Sequence, residues 1–198
     1  MSKVAIVYHS AAGHTAALAQ SAAEGVRDAG ADPILLSLDG GDFAPVLEAV
    51  AAADAVIFGA PTFMGDLSAG FRAFAEASAG AWYGQAWKDK LAAGFTVSGS
   101  YSGDKLNSLT SLAVFAAQHG MVWVSTGLLP GHAYGKVGPE DVNRLGSFLG
   151  VMAQADNAPA DVTPPSGDHR TVRLLGARVA EAARRWKAGA PEAVAQAA

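Results

Sequence analysis

Near its amino terminus the chain reads Val4-Ala5-Ile6-Val7-Tyr8-His9-Ser10-Ala11-Ala12-Gly13-His14-Thr15, and this stretch constrains the fold more than any other. The unbroken apolar run Val4 to Tyr8 is the pattern of a strand buried on both faces, as in a parallel sheet. A short turn of small and hydroxyl residues follows. From Thr15 the stretch Ala16-Ala17-Leu18-Ala19-Gln20 predicts helix. Strand, tight turn and helix in that order aim free backbone N–H groups and the positive end of the helix dipole at one point, which is a ready anion site. Ser10 and Thr15 add hydroxyl donors, and Gly13 lets the backbone turn and approach closely. The loop holds no Lys or Arg, so a phosphate here would rest on neutral donors. The same residues also read as a plain strand-to-helix connection in which Ser10 or Thr15 caps the helix. Without a Gly-Lys-Ser/Thr ending it is no nucleotide P-loop, and without Gly-x-Gly-x-x-Gly it is no dinucleotide fingerprint. A mononucleotide phosphate, or no ligand, is left.

The 198 residues are enough for one domain with a substantial core, expected over 1–189, with a weakly patterned tail at 190–198 that should fray. Apolar residues make up 51% and charged ones 16%, which excludes wholesale disorder. A net charge of −4 gives no electrostatic footprint for nucleic acid or an anionic membrane. Lacking cysteine, the chain has no disulfide, thiolate nucleophile or zinc-thiolate site. Met1-Ser2-Lys3 runs straight into a strand without a signal-peptide pattern, and no apolar run is long enough to span a bilayer. The expected location is the cytoplasm.

Further strands are expected at Ile34–Leu38, Ala55–Gly59, Leu91–Val97 and Met121–Ser125, and helices at Thr15–Asp28, around Val46–Val50, from Ser68 to about Ala79, and at Leu106–His119 and Thr171–Trp186. This alternation predicts an α/β doubly wound sheet, a three-layer αβα sandwich of five parallel strands in the order 2-1-3-4-5. The glycine-rich segment Gly80–Trp87 should present its rings at the surface. Leu145–Gly150 suggests a short helix, and Ala158–Asp168 a Pro-rich loop.

Ligands of such sheets sit beyond the carboxyl ends of the strands, where the loops after strands one, three and four emerge. The first loop offers anion donors, Ala60-Pro61-Thr62-Phe63-Met64-Gly65-Asp66 offers apolar and hydroxyl surface, and Ser98-Gly99-Ser100 offers backbone amides. Together they suit a phosphate joined through a polar chain to a flat heterocycle, which describes FMN. These motifs, with Leu67-Ser68, the segment around Trp82 and His119-Gly120-Met121, resemble the flavodoxin-like NAD(P)H:quinone oxidoreductases of the WrbA type (tryptophan-repressor-binding protein family). The resemblance covers Lys3 to about Val124.

It implies that Ser10, Ala11, Ala12, Gly13, His14 and Thr15 bind the FMN phosphate. Pro61, Thr62, Phe63, Met64 and Gly65 would line the ring, with Val97, Ser98, Gly99, Ser100 and Tyr101 along its other edge. His119 would approach the flavin, from a neighbouring subunit if need be, and Trp82 and Ala12 would meet substrate. NAD(P)H and a quinone would be the partners of a homodimer or homotetramer. The chain departs from the family where Ala12 replaces a common aromatic, where Tyr101 and Ser102 interrupt a glycine run, and at the insertion-like segment 138–168. Other readings stand beside these. Trp82, Tyr83 and Trp87 also read as packing residues, and His119 as a helix-end group favouring the dipole. His9, His132 and His169 lack partners at metal-ligand spacing. An electron-transfer flavodoxin, or an FMN-fold regulator without enzyme activity, fits the same motifs.

Overall fold

Strand β1 (Lys3–Tyr8) has no solvent-facing side in its centre, since Val4, Ala5, Ile6 and Val7 are all fully buried. Successive side chains point to opposite faces, so Val4 and Ile6 enter one core while Ala5 and Val7 enter another. Helices must therefore cover both faces. The first core is closed by α1 (His14–Asp28) and α6 (Ser166–Ala188) through Leu18, Ala22, Leu175 and Val179. The second is closed by α2 (Ala44–Ala52), α3 (Ala69–Ala77) and α5 (Lys105–Gln118) through Val50, Phe71, Phe74 and Leu112. The computed structural model describes residues 1–135 and 137–189. The tail at 190–198, expected to fray, lies outside the described residues.

Strands β2 (Asp32–Ser37), β1, β3 (Ala55–Phe63) and β5 (Leu91–Ser98) lie side by side and parallel, with Ile6 opposite both Leu35 and Ile57. The short β4 (Asp66–Leu67) folds back antiparallel on the end of β3. The fifth position is shared. Strand β6 (Val122–Trp123) pairs with Leu91 and Ala92, and β7 (Val151–Gln154) pairs with Phe95 to Ser98 further along the same edge. The flavodoxin-like order is thus the expected one, but its last strand is assembled from two pieces far apart in the chain.

The expected strand Met121–Ser125 stops early because the chain leaves the sheet after the Val124 N–H donates to the Ala92 carbonyl at 2.7 Å. Its excursion is tied at the base. Thr126 N–H donates to the Phe148 carbonyl at 3.1 Å and the Trp123 indole to the Leu149 carbonyl at 2.7 Å. The short helix expected over Leu145–Gly150 is absent, replaced by turns and bends that lead into β7. Gly150 explains the re-entry, since a Cβ there would stand 2.5 Å from the Gly94 carbonyl oxygen and only glycine lets the returning chain come that close. The Pro-rich loop ends at Pro165, and α6 begins ahead of the expected Thr171, with Asp168 in its first turn.

The expected surface segment Gly80–Trp87 divides. Trp82 and Tyr83, in the short α4 (Ala79–Tyr83), are exposed, whereas Trp87 is fully buried. Trp87 stacks on the His119 ring at 4.1 Å between centroids, with Phe74 and Phe115 completing the cluster. The Ser78 hydroxyl donates to the Ala75 carbonyl at 2.7 Å, so at 2.9 Å it accepts from Nε2–H of His119. Nδ1 is left buried without a partner among the described residues. Burial drives the His119 pKa from 6.5 to about 4.

Between those two values the unfolded chain binds the proton and the folded chain does not, so this group removes stability as pH falls from about 6.5 to about 4. Urea unfolding at pH 7 and pH 5 should show a smaller loss for His119→Phe than for the parent. His169, also pushed down by burial, contributes equally to both proteins.

Candidate functional site

The β1–α1 connection sets the site. Ser10 N–H donates to the Asp39 carboxylate at 2.9 Å, and the chain then turns through Gly13, whose φ of +86° is left-handed and costs glycine little. Ser10 Oγ reaches forward to accept from the Ala16 N–H at 3.0 Å, so this hydroxyl caps α1 from outside the turn. The N–H groups of residues 11–15 have no protein acceptor among the described residues. They stand at the positive end of a 15-residue helix with no acidic side chain in its first turn.

Three further strand ends meet this turn. Strand β3 runs into a tight hairpin, Thr62 opposite Leu67 and Phe63 opposite Asp66. Met64 and Gly65 take φ values of +51° and +81° at its tip, the geometry of a two-residue primed turn. The hairpin lifts Phe63 and Met64 into solvent, at 51% and 104% exposure. Val97, Ser98 and Gly99 leave β5, and Ala155, Asp156 and Asn157 leave β7, whose pairing continues with Ala155 N–H to the Ser98 carbonyl at 3.1 Å. Beyond them the chain folds over the first turn. The Nε2–H of His14 donates to the Ala158 carbonyl at 2.8 Å, which leaves Nδ1 unprotonated in the neutral ring.

Between these loops lies a cleft of about 250 Å³. Ala11, Ala12, His14 and Thr15 form one end, Pro61 and Phe63 one wall, Val97, Ser98 and Gly99 the next, and Ala155, Asp156 and Asn157 the last. The wall is mostly apolar, and Asp156 is its one carboxylate.

Other expected site residues stand elsewhere. Ser10 and Gly13 build the turn without lining the cleft. The Thr62 side chain points inward, bonded to Thr96 Oγ1 and Ser108 Oγ at 2.7 Å each, so its hydroxyl faces the core and not the ring site. Met64 and Gly65 form the hairpin tip, and Tyr101 lies under the Arg144 guanidinium at 5.6 Å. His119 and Trp82 are not brought to the cleft. Helix α5 carries the chain from the β5 exit to the opposite end of the sheet, where His119 is 3% exposed and bonded to Ser78. Trp82 follows Ser78 in α4, at that same far end.

Ala155, Asp156 and Asn157 escape a sequence reading because they fall within 138–168, which looks like an insertion. The signal available is the strand-like Val151-Met152-Ala153-Gln154 ending in a turn-forming Asp-Asn pair.

Behind the cleft sits a buried ionic group. Arg144 grips Asp168 through two bonds of 2.8 Å, with side-chain exposures of 6% and 1%. Asp168 also accepts from the Gln154 N–H at 2.8 Å. This pair joins the excursion, β7 and the start of α6.

The layered fold and the unpaired turn amides define a mononucleotide-binding protein of flavodoxin type. Residues 2–134 match the family of NADPH-dependent FMN reductases, and the chain belongs to that family. It is 39% identical over 180 residues to flavodoxin FldP of Pseudomonas aeruginosa, covering 91% of this chain and 96% of that one. Identity to an NAD(P)H dehydrogenase (quinone) of Caulobacter vibrioides is 32% over 199 residues, 92% and 98% of the two chains. Among solved structures, a flavodoxin, WrbA-like protein from Agrobacterium tumefaciens superposes with a TM-score of 0.72 at 39% identity, over 93% of this chain and 99% of that chain. FMN is the cofactor that this membership carries. The cleft has the parts such a group needs, in uncommitted amides for the phosphate and an apolar slot for a ring.

Ala12 is exposed, so Ala12→Asp should leave thermal stability nearly unchanged while setting a like charge against phosphate. FMN affinity, measured by quenching of flavin fluorescence, should fall at least tenfold, roughly the 1.4 kcal/mol expected of one misplaced charge at a partly wet site. Asp168→Asn should instead cost about 3–5 kcal/mol in urea unfolding, because it strands a buried guanidinium.

Proposed function

We propose that the protein is an FMN-dependent oxidoreductase that takes two electrons from NAD(P)H and delivers them to a quinone by a ping-pong mechanism. The single observation that carries this reading is the turn at residues 11–15, a row of amides without acceptors among the described residues, opening on an apolar cleft. Membership of a family of NADPH-dependent FMN reductases, and the likeness to NAD(P)H dehydrogenases (quinone), support the choice of reductant and acceptor. Bound FMN supplies the chemistry, accepting hydride from a nicotinamide and passing the electron pair on.

The chain supplies placement. Amides of Ala11, Ala12, Gly13, His14 and Thr15, helped by the hydroxyl of Thr15, hold the phosphate at the start of α1. Pro61, Phe63 and Val97 give the ring an apolar wall, and the backbone from Ser98 to Tyr101 meets its polar edge. Ala12 leaves room at the mouth for a flat substrate where the resemblance leads one to expect an aromatic ring. Nicotinamide and quinone take the same place in turn, and the quinone draws its remaining proton from solvent. Residues 1–189 act as one FMN-binding domain, in a homodimer or homotetramer in the cytoplasm.

The 39% identity to flavodoxin FldP favours a second reading, an electron carrier that does not itself oxidise nicotinamides. Anaerobic titration separates the two. One equivalent of NADPH or NADH should bleach the visible flavin band, a small benzoquinone should restore it, and initial rates should give parallel double-reciprocal lines. A flavin reduced by dithionite but by neither nicotinamide would leave the carrier reading in place.

A further inference from the structure

We propose that Lys105 and Gln154 are positioning residues for the cofactor ring: from inside the protein they hold the carbonyls of the β5 exit loop, which turns that loop's amides toward the cleft. This rests on the reading of the cleft as an FMN site.

Lys105 opens α5 and is fully buried. Its ammonium donates to Ser98 Oγ at 2.9 Å and to the Ser100 carbonyl at 2.5 Å. Gln154, at the end of β7 and 7% exposed, donates from Nε2 to the Gly99 carbonyl at 3.1 Å and to the Asp156 carboxylate at 2.8 Å. Two consecutive carbonyls are thus drawn inward by side chains. In a trans peptide the C=O and the following N–H point in opposite directions. The N–H groups of Ser100 and Tyr101 are therefore turned away from Lys105 and Gln154, and neither has a protein acceptor among the described residues. Ser98 and Gly99, in the same loop, line the cleft.

Charge acts in the same sense. Arg144 and Asp168 neutralise each other through their paired bonds, and Lys105 is a separate cation beside them. Burial lowers its pKa to about 8, with Asp168 pulling it up and Arg144 pushing it down, so the ammonium is mostly charged at pH 7. A fixed positive charge and two aligned amides together favour a ring edge that has gained electrons over one that has not. Lys105 touches neither ring nor substrate in this arrangement. It acts through the loop and through its field.

The test uses the FMN-loaded full chain and reads binding and redox potential, with turnover left aside. Flavin fluorescence gives the affinity for oxidised FMN, and anaerobic spectroelectrochemistry gives the midpoint. In Lys105→Met, binding of two-electron-reduced FMN should weaken at least tenfold more than binding of oxidised FMN, a midpoint about 30 mV more negative. Lys105→Arg, which keeps charge and donors, should restore most of that shift. A midpoint equal to the parent's, with FMN bound, overturns the inference. Should Lys105→Met fail to fold, Gln154→Met carries the test, since Asp168 still holds Arg144. It should weaken binding of both redox forms, and an unchanged affinity and midpoint overturns the inference. A parent protein that binds no FMN would instead sink the reading of the cleft itself.

Discussion

The backbone N–H groups of residues 11–15 find no acceptor among the described residues of the chain that carries them. They lie beyond the last sheet bond of β1 and before the first bonds within α1, and the Ser10 hydroxyl is already spent on Ala16. Gly13, in its left-handed conformation, makes the turn that carries them from β1 into α1. Any fold that buries β1 on both faces must place this turn at the carboxyl end of the sheet, so the demand for an outside acceptor is built into the topology. The other loops matter for function because they emerge beside it.

How those loops meet depends on the divided fifth strand. Had Val122 continued along the whole of β5, the upper half of that edge would be closed, with no chain to deliver Ala155, Asp156 and Asn157 to the cleft. The departure after Val124 and the return at Val151 free that half for β7, whose exit loop crosses the first turn and is pinned by His14. The same return brings Gln154 behind the β5 exit loop. It also buries the Arg144–Asp168 pair, which ties the excursion to the start of α6. A buried ion pair adds little net stability compared with an apolar core, but neither partner tolerates loss of the other. It is better understood as holding the excursion in a single arrangement behind the site.

The far end of the sheet has a different chemistry. His119, Trp87, Phe74 and Phe115 form an apolar cluster in which the imidazole is kept neutral by burial. A histidine there contributes shape and one hydrogen bond to Ser78, and not a proton within the chain's own cleft. Its motif resembles one that approaches the flavin, from a neighbouring subunit if need be, and the length of α5 keeps it away from this chain's own cleft. Fourteen residues at about 1.5 Å each carry the chain across the full height of the sheet.

The order of strands and helices, the two-faced burial of β1 and the tight turn into α1 could be read from residues alone, because each depends on neighbours within about a dozen positions. The apolar run of β1, the alanine-rich start of α1 and Gly13 between them need no distant partner to declare themselves. What only the folded chain decided is which distant segments share a space. The shared fifth strand, the inward turn of Thr62, the cleft contacts of Ala155 to Asn157 and the support of Lys105 and Gln154 all join residues tens of positions apart. Their pairing follows from sheet register and side-chain packing, and a linear pattern carries no record of either.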